Sequence, residues 1–278
     1  MKRESQTSPM SVLSQVMGIV NVTPDSFSDG GRWASTAAAV DHAMRLVEQG
    51  ADVLDIGGES TRPGAEPVGE AEEIERVAPV IAAVRARCGG PISVDTMKPA
   101  VARAAVAAGA TMWNDVTALS QAPDSLAVAA ELGCAVVLMH MKGEPRTMQA
   151  DPRYGDVVAE VRDYLRDRAG AAMAAGVARE NIWLDPGIGF GKTLEHNMAL
   201  TARLGELVAL GFPVLYAASR KRTIQAVDPT AVEATDRLGG SLALALEGAR
   251  RGARMVRVHD VRETVQALKL QAAVAAAG

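Results

Sequence analysis

The sequence predicts one α/β domain in which eight parallel strands close into a barrel surrounded by helices. Eight short apolar runs alternate with Ala-rich amphipathic stretches along the 278 residues, and this alternation is typical of a parallel sheet that is buried on both faces. A (β/α)8 barrel, or TIM barrel, takes roughly 250 residues. The alternative, an open doubly wound sheet, would normally carry G-x-G-x-x-G after its first strand, and this chain has no such run there.

The predicted elements follow each other in a regular order. The strands are near-continuous apolar runs: Val16–Val20, Asp52–Ile56, Ile92–Val94, Thr111–Trp113, Ala135–Met139, Ile182–Leu184, Val214–Ala217 and Met255–Val258. The helices are the amphipathic stretches Thr36–Gln49, Ala71–Arg87, Pro99–Ala108, Ser125–Leu132, Val157–Ala175, Glu195–Leu210, Arg237–Arg251 and Val261–Ala276. We expect residues 1–14 to be a disordered lead-in and residues 15–278 to form the barrel.

Composition excludes several classes of protein. Hydrophobic residues make up 48% and the net charge is −4, which lacks the basic excess of a nucleic-acid-binding protein. No apolar run approaches the roughly 18–20 residues that span a bilayer, and the start lacks the apolar core of a signal peptide. For Cys88 and Cys134 free thiols are favoured, although a disulfide stays open. We therefore expect a soluble cytoplasmic protein that binds neither nucleic acid nor membrane.

Polar residues stand at the carboxyl end of nearly every predicted strand, and in a barrel these ends face the active site. In chain order they are Asn21, Asp55, Asp95, Asn114, Asp115, His140, Asp185, Ser219, Arg220, Lys221, Arg257 and His259. An Asn or Asp after a strand is usually a cap or a turn former, and this is the alternative for Asp115 and Asp260. A structural carboxylate is the alternative for Asp55. Eight such strand ends are more than these roles explain.

The residue types in this ring suit a flat heterocycle together with an anionic group. A carboxylate such as Asp185 can accept two parallel N–H bonds from an amino-pyrimidinone edge, and Lys and Asn supply donors. Arg257 and His259 belong to the eighth strand, near the place where many barrels bind phosphate. We expect catalysis by positioning and electrostatics rather than by covalent or acid–base chemistry.

The glycine-rich run DPGIGFGKT (185–193) matches neither nucleotide-binding fingerprint. Pro186 stands where the P-loop needs Gly, and Lys192 stands where G-x-G-x-x-G needs its last Gly. We interpret the run as a flexible loop that lets the backbone approach a ligand, with Phe190 covering it; a plain turn is the alternative. His42 and His196 have helical contexts, and the role of His140 stays open.

Eight sequence blocks, taken in order, resemble the dihydropteroate synthase family of folate biosynthesis. They are GIVNVTPDSFSDGG, DIGGESTRPGA, ISVDTMKP, WNDV, LMHMKGEPRTMQ, LDPGIGFGKT, ASRK and VRVHD. The chain departs from the family pattern at Trp113, at Tyr216-Ala217-Ala218 and at Arg222.

The resemblance implies an activity, a cofactor and partners. The activity is condensation of 6-hydroxymethyl-7,8-dihydropterin pyrophosphate with p-aminobenzoate to 7,8-dihydropteroate and pyrophosphate, through Mg²⁺-assisted, SN1-like C–O cleavage. Sulfonamides are implied as inhibitors, and a homodimer is implied. Two alternatives remain open, a corrinoid-dependent pterin methyltransferase domain and a non-catalytic pterin-binding protein. The first should lack the Ser-Arg-Lys block and the TPDSFSDGG and ESTRPGA loops, and the second should lose Asn21, Arg257 or His259. All of these are present in the sequence.

The resemblance also implies roles for single residues. The pterin site is implied to comprise Asp95, Asn114, Met139, Asp185, Phe190, Lys221 and Arg257. The pyrophosphate site is implied to comprise Asn21, Thr61, Arg62, Arg257 and His259, with Asn21 also binding Mg²⁺. The p-aminobenzoate site is implied to comprise Phe27, Thr61, Arg62, Pro63 and Ser219. The catalytic residues would be Asn21, Lys221, Arg257 and His259, and Phe27 would belong to a lid, with a hydrophobic anchor as its alternative.

Overall fold

A computed structural model describes residues 13–22, 31–60, 66–143 and 147–277, without the side chains of residues 31–35. The strands are β1 (Gln15–Asn21), β2 (Val53–Gly57), β3 (Ile92–Asp95), β4 (Met112–Asp115), β5 (Ala135–Met139), β6 (Ile182–Asp185), β7 (Leu215–Tyr216) and β8 (Met255–Val258). The helices are α1 (Gly31–Glu48), α2 (Glu70–Arg85), α3 (Pro99–Ala107), α4 (Ser125–Leu132), α5 (Val157–Ala174), α6 (Leu194–Ala202), α7 (Gly205–Val208), α8 (Arg222–Val227), α9 (Leu238–Arg250) and α10 (Val261–Ala276).

The eight strands form one parallel sheet that closes on itself. Neighbours run in the order β6-β5-β4-β3-β2-β1-β8-β7, and a parallel bridge between Leu184 and Val214 joins β6 to the chain entering β7. Strands alternate with helices, so the predicted (β/α)8 barrel is confirmed.

Alternation along each strand separates two cores. Side chains such as Val16, Leu54 and Trp113 belong to the large apolar cluster shared with the helices. The intervening positions face the barrel interior, because successive side chains on a strand point to opposite faces. Their lower layer is apolar and consists of Met17, Val53, Met112, Val137, Leu215 and Met255. Two residues further along several of these strands the interior positions become polar, and this change places the candidate site at the carboxyl rim.

The structure differs from the predicted helices in three places. Helix α1 begins at Gly31 rather than at Thr36. The predicted helix Glu195–Leu210 is two helices, because Arg203 leaves helical geometry with φ −110° and ψ 22°. Helix α8 was not predicted, since its six residues are too few to show a 3.6-residue period.

Two further sequence expectations can be compared with the structure. Cys88 and Cys134 are both free thiols. Among the described helices, none combines the length and the apolar character needed to cross a bilayer.

Candidate active site

The polar interior positions at the carboxyl rim, here called the polar layer, include Asp55, Asp95, Asn114, Asp185, Lys221 and Arg257. Arg257 lies at its centre and pairs with two carboxylates. Its Nε is 2.6 Å from Asp55 Oδ2 and its Nη2 is 2.6 Å from Asp95 Oδ2. Since β8 is separated from β2 and β3 by β1, the guanidinium reaches across the barrel mouth. Asn114 Nδ2 donates to the same Asp55 oxygen at 3.2 Å. Asp55 is therefore a structural carboxylate that orients Arg257 and Asn114.

The charges in this group depend on one another. Burial raises the pKa of Asp95 to about 7, Arg257 opposes that rise, and Asp55 adds to it. Burial disfavours the Arg257 cation, but Asp55 and Asp95 outweigh burial and raise its pKa above the ordinary value. Arg257 is thus a permanent cation between two carboxyl groups, one of which titrates near neutrality.

Asp185 and Lys221 form the opposite side of the polar layer. Asp185 Oδ1 accepts the Gly187 N–H at 2.7 Å, which leaves its second oxygen to other donors. Lys221 Nζ donates to the Ile188 carbonyl at 2.5 Å and lies 4.7 Å from the centre of the Phe190 ring. Burial lowers the pKa of Lys221 to about 8, and Asp185 opposes this shift.

Three glycines shape the loop between Asp185 and Lys192. Gly187, Gly189 and Gly191 have φ of 68°, 82° and 62°, a region that L-residues with side chains rarely adopt. A Cβ on Gly187 would lie 1.9 Å from the His140 carbonyl oxygen, and one on Gly191 would lie 2.3 Å from that of Lys142. The glycines therefore let this loop pack on the backbone that follows β5, a different reason from the predicted approach to a ligand.

Ser219 connects the ends of β7 and β8. Its Oγ accepts the His259 backbone N–H at 3.2 Å and lies 3.0 Å from His259 Nδ1. The next residue, Arg220, has φ 59° and donates two hydrogen bonds to Asp260, at 3.0 and 2.5 Å. Asp260 stands at the N-cap of α10, but its side chain caps no backbone N–H there; it holds Arg220.

Residues 17–259 match the family model described as "Pterin binding enzyme". Dihydropteroate synthase of Escherichia coli (strain K12) is 49% identical over 255 residues, which is 92% of this chain and 89% of that protein. The chain belongs to the pterin-binding enzymes, among the dihydropteroate synthases. The family resemblance and the enzyme class, a transferase, are thereby confirmed.

Solved dihydropteroate synthases have the same fold. A Xanthomonas albilineans structure with 4-aminobenzoic acid has 53% identity and a TM-score of 0.89, covering 95% of this chain and 94% of that one. A Yersinia pestis structure with a sulfonamide drug complex has 43% identity and a TM-score of 0.90, covering 99% of both chains. A further Xanthomonas albilineans structure holds 7,8-dihydropteroate, with 50% identity and a TM-score of 0.86 over 95% of this chain and 94% of that one.

In this chain the rim brings together most of the predicted site residues. Within the described residues these are Asn21, Asp95, Asn114, Met139, Asp185, Phe190, Ser219, Lys221, Arg257 and His259. Phe27, Thr61, Arg62 and Pro63 lie outside the described residues.

Asp115, Trp113, Tyr216 and Arg222 lie outside the polar layer. The Asp115 carboxylate accepts the Thr117 N–H at 2.7 Å and the Leu119 N–H at 3.0 Å, so the turn-forming alternative is confirmed. Trp113 and Tyr216 pack in the cluster between barrel and helices. Arg222 is exposed at the start of α8.

Two lysine clusters, one around the half-buried Lys98 and one around the buried Lys192, were not predicted from the sequence. Lys98 Nζ lies 2.7 Å from Glu59 Oε2 and 2.5 Å from Glu73 Oε2. Glu73 shares the buried face of α2 with Val77, and an acid at i of an i, i+4 apolar pattern is a signal that could have revealed it. Lys192 Nζ lies 2.9 Å from His140 Nδ1. His140 is thus a buried residue in contact with the Lys192 amine.

Proposed function

We propose that this chain condenses 6-hydroxymethyl-7,8-dihydropterin pyrophosphate with p-aminobenzoate, giving 7,8-dihydropteroate and pyrophosphate. The observation that carries the proposal is the polar layer itself. One side holds Asp185 within electrostatic reach of Lys221, and the other side holds Asp95 against Arg257 and Asn114 against Asp55. Relatives solved with 4-aminobenzoic acid and with 7,8-dihydropteroate support the same pair of substrate and product.

The donors and acceptors left over on these residues match a pterin edge. Asp185 has an oxygen to accept pterin N–H groups, since Gly187 uses the other. Asn114 gives its amide nitrogen to Asp55 and so offers its carbonyl oxygen. Lys221 donates one N–H to the Ile188 carbonyl, and its other two N–H groups can donate to the pterin carbonyl and ring nitrogen. Met139 and Phe190 supply apolar walls for the flat ring.

Arg257 and His259 are proposed to bind the pyrophosphate. Arg257 uses Nε and one Nη2 hydrogen on carboxylates, so further N–H groups of its five can reach an anion. Ser219 Oγ accepts a backbone N–H from His259, and its own hydrogen can go to His259 Nδ1. That arrangement leaves the proton on Nε2, as a donor to the leaving group.

Asn21 fits a supporting role at a magnesium ion. It is the last residue of β1, and its amide oxygen is the kind of hard ligand that Mg²⁺ takes alongside substrate phosphates. In the described part of the chain, no cluster of three or more acidic, His or Cys side chains suits a metal. We propose that Asn21 would hold the ion together with the pyrophosphate of the substrate. When bound, Mg²⁺ supplies positive charge to the leaving oxygens.

The proposed reaction is dissociative. The bond between the exocyclic methylene carbon and oxygen breaks, and its electron pair leaves with pyrophosphate, where Arg257 and His259 stabilise the negative charge. The dihydropterin ring delocalises the positive charge left on carbon. The lone pair of the aromatic amine then forms the C–N bond. The protonated nitrogen that results is acidic and gives its proton to the released pyrophosphate or to water, so no strong base is needed. Ser219, with Phe27, Thr61, Arg62 and Pro63, is proposed to bind p-aminobenzoate.

A pyrophosphate-release assay tests the proposal. Release should require both substrates and should stop when Mg²⁺ is chelated and resume when it is restored. Pyrophosphate release that does not depend on p-aminobenzoate would overturn the proposed function. Heavy-atom isotope effects showing a tight, associative transition state would overturn the dissociative route alone. A homodimer in the cytoplasm, inhibited by sulfonamides, completes the proposal.

A further inference from the structure

Lys192 is a buried amine to which the proposed reaction assigns no role. Its side chain is 3% exposed, and its Nζ lies 2.9 Å from His140 Nδ1, 3.2 Å from the His140 carbonyl and 3.0 Å from the Phe190 carbonyl. An ammonium group has three N–H donors and no acceptor. Each donor therefore has one partner. Burial lowers the pKa of Lys192 to about 7, and Asp185 opposes that shift, so the amine is fully charged only on the acid side of neutrality.

His140 is suited to accept this bond. Burial and the Lys192 charge lower the pKa of His140 to about 3, so the imidazole is neutral near pH 7. The imidazole ring contacts the rings of Tyr154 and Tyr164, with centroid distances of 6.1 and 5.0 Å, and these contacts hold it in place. Nδ1 then accepts from Lys192, and the remaining ring proton is on Nε2.

The amine joins two segments of backbone that already lie in close contact. One is the turn 187–191, where Gly187 and Gly191 have no room for a Cβ against the carbonyls of His140 and Lys142. The other is the chain that leaves β5 at His140. Because Lys192 donates to a carbonyl in each segment, it fixes the turn relative to the end of β5.

This turn contacts both halves of the proposed pterin edge. Its Gly187 N–H donates to Asp185, its Ile188 carbonyl accepts from Lys221, and its Phe190 ring lies against the Lys221 amine. We propose that Lys192 is a positioning residue for pterin binding. It holds the turn 187–191 against the end of β5 and thereby fixes the positions of Asp185 and Lys221. This inference rests on the proposed function.

Lys192 also contributes charge at Asp185. Burial raises the pKa of this carboxyl, while Lys221 from the loop after β7, Arg257 from β8 and Lys192 from its own loop lower it. Tyr216 of β7 is the other titratable group that senses Asp185. Without the Lys192 cation the Asp185 pKa should rise, so as the pH falls the carboxylate should be lost at a higher pH than in the wild type.

Lys192→Met tests the inference in the full-length chain. Calorimetry with 6-hydroxymethyl-7,8-dihydropterin pyrophosphate should show binding weaker by about tenfold or more at neutral pH. The acid side of the pH profile of binding should move to higher pH, a change that a merely structural role would not produce. Lys142→Met is the matched control: the same substitution on an adjacent lysine, whose side chain is 46% exposed, should leave the affinity unchanged.

Lys192→Arg separates position from charge and also serves if Lys192→Met does not fold. The cation is kept, but a planar fork cannot donate to the same three atoms, so affinity should fall while the acid side of the profile stays in place. Wild-type affinity in either folded variant, or an equal loss in Lys142→Met, would overturn the inference. Wild-type protein that binds the pterin without condensing it would instead overturn the proposed function.

Discussion

Gly187 has no room for a side chain, so the substitution Gly187→Ala should push its turn away from the backbone of His140. A Cβ there would lie 1.9 Å from the His140 oxygen, against the 3.0 Å below which real Cβ contacts essentially do not occur. The two backbones must therefore separate by at least 1.1 Å to bring this contact to 3.0 Å. The turn that moves carries the Gly187 N–H to Asp185 and the Ile188 carbonyl to Lys221. Misplacement by about 1 Å can cost about a hundredfold in rate.

Gly133→Ala is the control that removes the clash and keeps the backbone strain. Gly133 has φ 60°, close to the 68° of Gly187, and nothing lies within 4 Å of its Cβ position. The left-handed conformation costs roughly 1–2 kcal/mol, and lower entropy of the unfolded chain returns about 0.4–1 kcal/mol of that. Gly133→Ala should thus lose about 1 kcal/mol, and at most about 1.6 kcal/mol.

The assays are urea unfolding and kcat/KM for the pterin pyrophosphate. Gly187→Ala should unfold at lower urea than Gly133→Ala and should lose about two orders of magnitude in kcat/KM, while Gly133→Ala keeps wild-type kinetics. If the two variants behaved alike in both assays, the close backbone contact would not govern the site.

Three further outcomes are expected from the polar layer. Asp185→Ala and Lys221→Ala should each abolish pyrophosphate release while circular dichroism shows a folded barrel; an active Asp185→Ala would contradict the pterin-edge contact. Pterin affinity should fall as the pH rises through about 8, because the Lys221 amine, whose pKa burial lowers to about 8, loses its proton there; calorimetry across this range checks it, and a flat profile would contradict it. Asp55→Asn should lower the free energy of unfolding by about 3 kcal/mol, near the low end for breaking a buried ion pair because Asp95 still holds Arg257; urea unfolding measures it, and a neutral result would remove Asp55 as the anchor of Arg257.

The fold could be predicted because the signals that determine it are local. Each strand is a short apolar run and each helix has its own period, so neither needs knowledge of distant residues. The rim could be predicted for the same reason, since polar residues end the strands. Helix α8 and the break at Arg203 could not be predicted, because both are shorter than the window that reveals a period.

The pairings within the site could not be predicted, because they join residues far apart in the chain. Arg257 meets Asp55 and Asp95 at separations of 202 and 162 residues, and no spacing rule covers such contacts. Whether a rim residue belongs to the site depends on which face of its strand it occupies as well as on its place in the sequence. Asn114 and Asp115 both end β4, yet only one can face the interior, and a one-residue change in register would exchange them.

The polar layer explains how so many charges can be buried before any substrate arrives. Three carboxyl groups, Asp55, Asp95 and Asp185, face two cations, Lys221 and Arg257, with Lys192 behind Asp185 as a third. Dipoles and charges fixed in advance need no reorganisation when charge develops on a leaving group. The pyrophosphate nevertheless adds negative charge next to Asp95, whose pKa of about 7 allows it to take up a proton. Asp55 is fully buried, whereas the Asp95 side chain is 13% exposed, so in the proposed reaction Arg257 would keep its bond to Asp55 while Asp95 becomes available to the pterin. The Arg257 cation is thus held by the fully buried carboxylate of Asp55 and shared with the partly exposed carboxylate of Asp95.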